Sequence, residues 1–235
     1  MRLLRPVELT VKEIPWLASR GLIRFTHPAA LEFCTRLSDG GYEPHRLLQV
    51  LPRHKLIYVA VPKAASTCIR TILARVDGRH LRSLKRGRRA NYRGPYGPRQ
   101  MTIATFFRLA TSADTLRFSF VRNPYARLVS CWADKFANKP LIPGDSYVER
   151  YLAVRKQIDG RLPAGADRTL SFAEFVVYAA AMANARHDIH LQTQDDILTT
   201  PGIDLDFIGR VETFDADFAR VLDYLDASDA IRREA

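Results

Sequence analysis

Two short segments of the sequence carry residues that could bind anions. The first is YVAVPKAASTCIR, residues 58–70, in which an apolar run precedes a Pro-Lys turn and then small and hydroxylated residues. A strand that turns directly into a helix presents backbone N–H groups and the positive end of the helix dipole, which together bind phosphate or sulfate. Lys63 adds a positive charge, and two hydroxyls add donors. The candidate amides belong to Ala64, Ala65, Ser66, Thr67 and Cys68.

This segment differs from the Walker A loop of proteins that hydrolyse ATP or GTP. Walker A requires G-x-x-x-x-G-K-[ST], whereas the segment has neither glycine and its lysine comes earlier. Arg122 also stands after the next predicted strand, where an acidic partner for Mg²⁺ would be expected. Nucleotide hydrolysis is therefore disfavoured, and a nucleotide kinase with an unusual loop stays an alternative.

The second segment is FSFVRNPYARLVSCW, residues 118–132. Arg122 follows a predicted strand, and Ser130 lies nearly two turns into the helix predicted to begin at Pro124. A guanidinium can bind a phosphate through two hydrogen bonds, and a serine hydroxyl can add one more. The alternative is a strand-end arginine in a structural ion pair. Two anion-binding groups at strand ends would suit a nucleotide phosphorylated at two places.

Strands and helices alternate around these segments. Apolar runs at 55–61 and 116–121 are typical of strands buried on both faces, and 66–76 has apolar residues at helical spacing, with Ser66 or Thr67 as its predicted N-cap. A short strand within 203–214 precedes a further helix. The pattern predicts an α/β, P-loop-like three-layer fold with a central, mainly parallel sheet flanked by helices. Residues 1–50 are predicted to form a helical packing or lid segment, and 51–235 the main domain, with a basic, mobile insertion at 78–100.

Together the two segments resemble the sulfotransferases that use 3′-phosphoadenosine 5′-phosphosulfate (PAPS), in particular the carbohydrate sulfotransferases of the chondroitin, HNK-1 and uronosyl 2-O groups. The resemblance implies that residues 63–68 bind the 5′-phosphosulfate and that Arg122 and Ser130 bind the 3′-phosphate. HLQTQDDIL, residues 190–198, resembles a His-x-x-x-Gln segment of these enzymes, with Leu191 where an aromatic residue is often found. LDFIGRVETF resembles their D-F-I-G-R-x-E segment, which implies that Arg210 approaches the cofactor.

The resemblance implies an in-line transfer of a sulfuryl group from PAPS to a carbohydrate hydroxyl, which leaves 3′,5′-ADP and requires no metal. Lys63 and the loop amides would stabilise the charge that develops on the leaving phosphate. A base must take the proton of the acceptor hydroxyl. His190 is the first candidate because it lies in the segment that resembles the family, and His80, His187 and a carboxylate such as Glu149 are alternatives.

The overall composition is compatible with this reading and with a competing one. The formal net charge of +11 indicates an anionic partner. The arginine-rich stretch 78–100 could hold an acidic glycan acceptor or could be a solvated loop. A polyanion-binding module without catalysis is thus the main alternative, although the sequence has no recognisable nucleic-acid module, and nucleic acid is not an expected partner. The sequence does not specify an oligomeric state.

The expected location rests on missing signals. The N-terminus, MRLLRPVELTVKEIPWL, has no long apolar run, which predicts neither a signal peptide nor a membrane span. Three scattered cysteines (Cys34, Cys68 and Cys131) form no CxxC pair and favour a reducing compartment. We therefore expect a cytoplasmic, bacterial protein, although animal members of the family that it resembles are Golgi membrane proteins.

Overall fold

The structure is a computed structural model. It describes residues 28–30, 32, 47–78, 101–137, 149, 170–182, 189–199 and 203–233. Most of the predicted N-terminal segment and nearly all of the predicted insertion at 78–100 lie outside these residues. The division into residues 1–50 and 51–235, with an insertion at 78–100, therefore stays a prediction.

The chain forms two compact units. The sheet unit comprises Met1–Val61, Ala65–Val121 and Leu198–Ala235, and the helical unit comprises Pro62–Ala64 and Arg122–Ile197. The chain therefore enters the helical unit after the second strand for three residues, and again after the third strand.

The sheet unit is built on four strands in the order β1-β2-β3-β4. Strand β1 pairs with β2 in antiparallel fashion, whereas β2 and β3, and β3 and β4, are parallel. The carboxyl ends of the last three strands thus lie at the same edge of the sheet, where ligands of open α/β folds bind. The strands span Leu48–Leu51 (β1), Leu56–Val59 (β2), Leu116–Val121 (β3) and Phe207–Arg210 (β4).

Strand β2 forms because its residues are apolar on both faces of the sheet. Every residue of β2 is buried, and its side chains alternate between the two faces of the sheet. On one face Tyr58 stacks on Phe118, with 5.0 Å between ring centroids, and Phe120 packs against Phe218 of a later helix. The one buried hydroxyl of β3, that of Ser119, donates to the carbonyl of Val59 at 2.7 Å.

Helices cover this sheet and build the second unit. The sheet unit contains α1 and α2 between β2 and β3, and α6 and α7 after β4. The helical unit has its own core around Phe136, Phe175 and Tyr178. The helices span Ser66–Val76 (α1), Ile103–Thr111 (α2), Pro124–Lys135 (α3), Phe172–Met182 (α4), Gln194–Leu198 (α5, whose last residue falls in the sheet unit), Phe214–Tyr224 (α6) and Asp229–Arg232 (α7).

The predicted fold class is confirmed: a central, mainly parallel sheet lies among helices in the order that the sequence indicates. The strand predicted at 55–61 is shorter, because Lys55 has a φ of +47° and closes a turn before β2 begins. The helix predicted at 66–76 and the helix start at Pro124 are confirmed to the residue. Asn123 explains the second of these starts, since its side chain accepts hydrogen bonds from the amides of Tyr125 and Ala126.

Candidate active site

The turn between β2 and α1 has a left-handed backbone at two positions. Lys63 has a φ of +70° and Ala65 a φ of +55°. Glycine usually fills such positions because a Cβ atom makes them costly. The turn therefore adopts backbone conformations that glycine usually provides, although its own sequence contains no glycine.

Helix α1 begins without a side-chain cap. Its N-cap is Ala65, and the first helical hydrogen bond runs from the amide of Ile69 to the carbonyl of Ala65 at 3.0 Å. The prediction of Ser66 or Thr67 as the N-cap is therefore wrong, because the left-handed turn ends one residue earlier than the hydroxyl pattern suggests. The amides of Ser66, Thr67 and Cys68 consequently precede the first hydrogen bond of the helix. Amides at this place in a helix can bind an anion.

The exposure of these residues differs along the turn. Ala64 is buried and Ser66 is half-buried, whereas Thr67 and Cys68 are exposed. Desolvation raises the pKa of the Cys68 thiol. At neutral pH Cys68 is therefore a thiol rather than a reactive thiolate.

Lys63 is engaged by a carboxylate within the helical unit. Its Nζ lies 2.6 Å from Oδ2 of Asp134 on α3, and the Nζ of Lys135 lies 3.2 Å from the same oxygen. Partial burial pushes the pKa of Asp134 upward, but hydrogen bonds and charge from the two lysines outweigh it and hold the pKa at about 2. Asp134 is thus ionised at any physiological pH.

Arg122 directly follows β3, as predicted. Its backbone is clamped by the side-chain amide of Gln194: the Arg122 amide donates to Oε1 at 2.9 Å, and Nε2 donates to the Arg122 carbonyl at 2.7 Å. Nη1 of Arg122 also reaches the carbonyl of Lys63 at 3.4 Å. Within the helical unit these bonds place Arg122 beside the Lys63 turn.

Ser130 is the seventh residue of α3 and is half-buried. Another residue of the same helix, Arg127, is buried and hydrogen-bonds to backbone carbonyls of the Lys63 turn and of the segment around His190. Arg127 was not among the candidates from the sequence. Its proximity to Pro62 and to residues 189–192 could be found only by folding the chain.

Only two of the four candidate bases lie within the residues that the structure describes. His190 is half-buried in the helical unit, and Glu149 is exposed. His80 and His187 lie outside the described residues, so these two alternatives stay untested. Among the described residues, no group of three or more His, Cys, Asp or Glu side chains could hold a metal ion.

Arg210 is the last residue of β4 in the sheet unit and is exposed. It is the register partner of Val121, the last residue of β3. Its backbone amide donates to Oδ2 of Asp217 on α6 at 2.8 Å, and the Thr213 hydroxyl donates to the same oxygen at 2.7 Å. Arg210 therefore has a fixed backbone at the carboxyl edge of the sheet.

A mainly parallel α/β sheet with a lysine-bearing turn after a buried strand defines a P-loop-like protein. The model of the sulfotransferase family matches residues 46–234, and the chain belongs to that family. The resemblance seen in the sequence to carbohydrate sulfotransferases is thereby confirmed.

Two curated relatives support this membership at low identity. The chain is 28% identical over 187 residues to carbohydrate sulfotransferase 11 of Danio rerio. This alignment covers 76% of the chain and 53% of the relative. The chain is 30% identical over 118 residues to carbohydrate sulfotransferase 14 of Homo sapiens. This second alignment covers 49% of the chain and 30% of the relative. The matches thus span about half of the first relative and a third of the second. No solved structure gives a significant match.

The prediction of a cytoplasmic location is wrong. The relatives that match are animal carbohydrate sulfotransferases of the Golgi type, which are not cytoplasmic. The missing apolar run on which the prediction rested says nothing about where such an enzyme resides. Among the helices that the structure describes, none is both long and apolar enough to cross a bilayer.

Proposed function

We propose that this chain is a PAPS-dependent sulfotransferase that transfers a sulfuryl group to a hydroxyl of a carbohydrate. Membership of the sulfotransferase family over residues 46–234 is the observation that carries the proposal. The names of the two relatives support a carbohydrate as the acceptor. An acidic glycan is the acceptor class that best complements the net charge of +11.

The turn before α1 fits the 5′ end of the donor. The half-buried Ala65 adds little bulk beside the backbone, and the amides of residues 66–68 precede the helical ladder. Lys63 supplies the positive charge. We assign the 3′-phosphate to Arg122 and Ser130, and an auxiliary contact to Arg210, each on the resemblance of its segment.

The chemistry requires little of the protein beyond placement and charge. A bond forms between the acceptor oxygen and sulfur while the bond between sulfur and the bridging phosphate oxygen breaks. Lys63 and the loop amides stabilise the negative charge left on the 5′-phosphate of 3′,5′-ADP. The acceptor proton goes to a base, for which His190 is our candidate. Neither step needs a metal ion.

Two other functions are compatible with a basic α/β protein. A polyanion-binding module would bind any anion of similar charge without turnover, and a nucleotide kinase would bind ATP with Mg²⁺. The early lysine and the absence of both Walker A glycines disfavour the kinase.

Thermal unfolding with different nucleotides separates the three functions. We expect 3′,5′-ADP to raise Tm strongly and ATP with Mg²⁺ to have little effect. An equal response to every polyanion would instead indicate the binding module. Incubation of a glycan panel with PAPS labelled in the sulfuryl group then identifies the acceptor, and absence of transfer to any carbohydrate would contradict the proposal.

The chain offers a matched pair of lysines for testing the role of Lys63. Lys55 also has a positive φ and also pairs with an aspartate, Asp114, at 3.3 Å. We expect Lys63→Ala to lower kcat on the order of a hundredfold or more while the protein stays folded. Lys55→Ala should leave kcat unchanged. Equal effects of the two substitutions would remove Lys63 from the mechanism.

His190→Ala tests the base under a saturating acceptor concentration. Loss of general-base catalysis typically lowers the rate by roughly a hundredfold or more. A full rate in this variant would transfer the role to one of the alternatives: His80, His187 or Glu149.

A further inference from the structure

We propose that Arg127 is a positioning residue for sulfuryl transfer, which holds the backbone around His190 against the turn that carries Lys63. The inference rests on the proposed function and adds to it a residue whose guanidinium donates to backbone carbonyls of the candidate site. It concerns the helical unit alone, because Arg127 belongs to that unit together with Pro62, Ile189 and Gln192, whose carbonyls it binds.

One guanidinium joins three segments of the helical unit. Arg127 lies on α3, and only 7% of the residue is exposed. Its Nε donates to the carbonyl of Pro62 at 2.9 Å, the residue before Lys63. Its Nη1 donates to the carbonyl of Gln192 at 2.7 Å and its Nη2 to that of Ile189 at 3.1 Å. The last two carbonyls stand on either side of His190.

The chemistry of the guanidinium explains why these contacts fix a geometry. A buried positive charge is costly unless hydrogen bonds satisfy it. Here three different nitrogens of one planar group each donate to a different carbonyl, so the directions of the bonds are set by the group itself. A lysine ammonium at this position could not reach all three carbonyls in these directions. Arg127 therefore specifies the distance between the Pro62 carbonyl and the 189–192 backbone.

A second clamp acts on a different candidate residue. Gln194 bonds both backbone groups of Arg122, at 2.9 and 2.7 Å, whereas Arg127 bonds the backbone beside Lys63 and His190. The two clamps should therefore affect different steps. Loosening Arg127 should affect the chemical step, and loosening Gln194 should affect binding of the 3′-phosphate.

Arg127→Lys and Gln194→Ala test this division through a split between kcat and affinity. A displacement of about 1 Å at the reacting groups can cost on the order of a hundredfold, so we expect Arg127→Lys to lower kcat by about that factor. The Kd of 3′,5′-ADP should rise by a far smaller factor, because only the contacts of the Lys63 turn are displaced. Gln194→Ala should show the opposite pattern, with a raised Kd and a smaller loss in kcat. If Arg127→Lys does not fold, Arg127→Gln replaces it, because it retains two N–H donors without burying a charge.

Arg117→Lys is the matched control. Arg117 is also a well-satisfied arginine, bound to Asp206 and to the carbonyl of Ala110, but it lies in the sheet unit. We expect this variant to lose stability and to keep kcat per folded molecule. If Arg127→Lys behaves in the same way, or if its kcat and donor affinity fall only in proportion to the folded fraction, Arg127 is merely structural and the proposal is overturned.

A measurement without any ligand separates failure of this inference from failure of the proposed function. The imidazole NMR signal of His190, assigned by its loss in His190→Gln, should shift and broaden in Arg127→Lys and stay unchanged in Arg117→Lys. A wild-type protein that transfers no sulfate would overturn the proposed function, and the His190 signal would still decide whether Arg127 orders this segment. An unmoved His190 signal in Arg127→Lys would overturn the inference.

Discussion

The ammonium of Lys63 and the carboxylate of Asp134 lie 2.6 Å apart, with Lys63 at a left-handed backbone position of the turn and Asp134 on α3. The Lys63 side chain is only 15% exposed, whereas that of Asp134 is 48% exposed. The positive charge of Lys63, which we propose binds the leaving phosphate, is thus already neutralised by the carboxylate of Asp134. Any anion that binds Lys63 has to compete with Asp134.

We therefore expect Asp134→Asn to tighten the binding of 3′,5′-ADP. A unit charge about 4 Å away contributes on the order of 1 kcal/mol when bulk water screens it, and this lower limit corresponds to a decrease of about fivefold in Kd. Titration calorimetry measures that Kd. Asp114→Asn, at the exposed pair with Lys55, is the control and should leave Kd unchanged. A weaker affinity in Asp134→Asn would mean that the carboxylate holds Lys63 in its binding position instead.

The same carboxylate should make stability depend on acidity in a defined window. Its pKa of about 2 in the folded protein lies below the value of about 3.9 for an unfolded chain. Its contribution to stability is therefore complete above about pH 4 and is lost as the pH falls through about 2. Solvent screening reduces the effect, because half of the side chain is exposed. We expect urea unfolding between these pH values to show a shallower decline for Asp134→Asn than for the wild type; identical declines would contradict the pairing.

The left-handed backbone at Ala65 predicts a stabilising glycine. A residue with a Cβ atom pays about 1–2 kcal/mol for this conformation, so Ala65→Gly should raise the free energy of unfolding by about 1 kcal/mol after the entropy of the unfolded chain is counted. Ala64→Gly is the neighbouring control: Ala64 is buried and is not among the positive-φ residues of the described chain, so its replacement should destabilise. Destabilisation by both glycines would show that the turn is not strained at 65.

Arg122→Ala should weaken donor binding more than it slows the chemical step. Hydrogen bonds to charged groups are worth about 1.5–3 kcal/mol, so the Kd of 3′,5′-ADP should rise roughly tenfold to a hundredfold. Ser130→Ala should raise it less, because its hydroxyl is neutral. Arg108→Ala, an exposed arginine of α2, controls for the loss of net charge. An unchanged Kd in Arg122→Ala would refute the assignment of the 3′-phosphate.

Position 209 in β4 requires glycine because the ring of Phe120 leaves no room for a Cβ atom, and not because of its backbone conformation. A Cβ atom at this position would lie 2.5 Å from Cζ of Phe120, whose buried ring also packs against Phe207 and Phe214. Overpacking of this kind costs about 1–3 kcal/mol, so Gly209→Ala should lower the free energy of unfolding by that amount. Phe120→Leu replaces the ring by a smaller side chain. The loss of unfolding free energy in the double variant Gly209→Ala/Phe120→Leu should therefore be smaller than the sum of the two single losses. Strict additivity would show that the ring moves aside freely.

The sequence by itself determined the elements next to the candidate site and their order, but it predicted neither β1 nor α2. The apolar runs that form β2 and β3, the spacing that forms α1 and the Asn123-Pro124 pair that begins α3 are local patterns, so each was predictable. The joint occurrence of the Lys63 and Arg122 segments also indicated the family, because both segments carry residue types with a specific chemistry. The N-cap of α1 was misassigned since the left-handed turn at Ala65 has no signature without glycine.

Only the tertiary structure decided what surrounds the candidate residues. Asp134 lies 71 positions after Lys63 in the numbering, and the Arg127 guanidinium meets carbonyls more than 60 residues away on either side. Such partners depend on how the chain folds back on itself, and backbone carbonyls in particular are present at every residue and leave no trace in the amino-acid types. The residues that carry the proposed chemistry can therefore be predicted from the sequence. Their partners, Arg127 and Asp134, could be identified only in the folded structure.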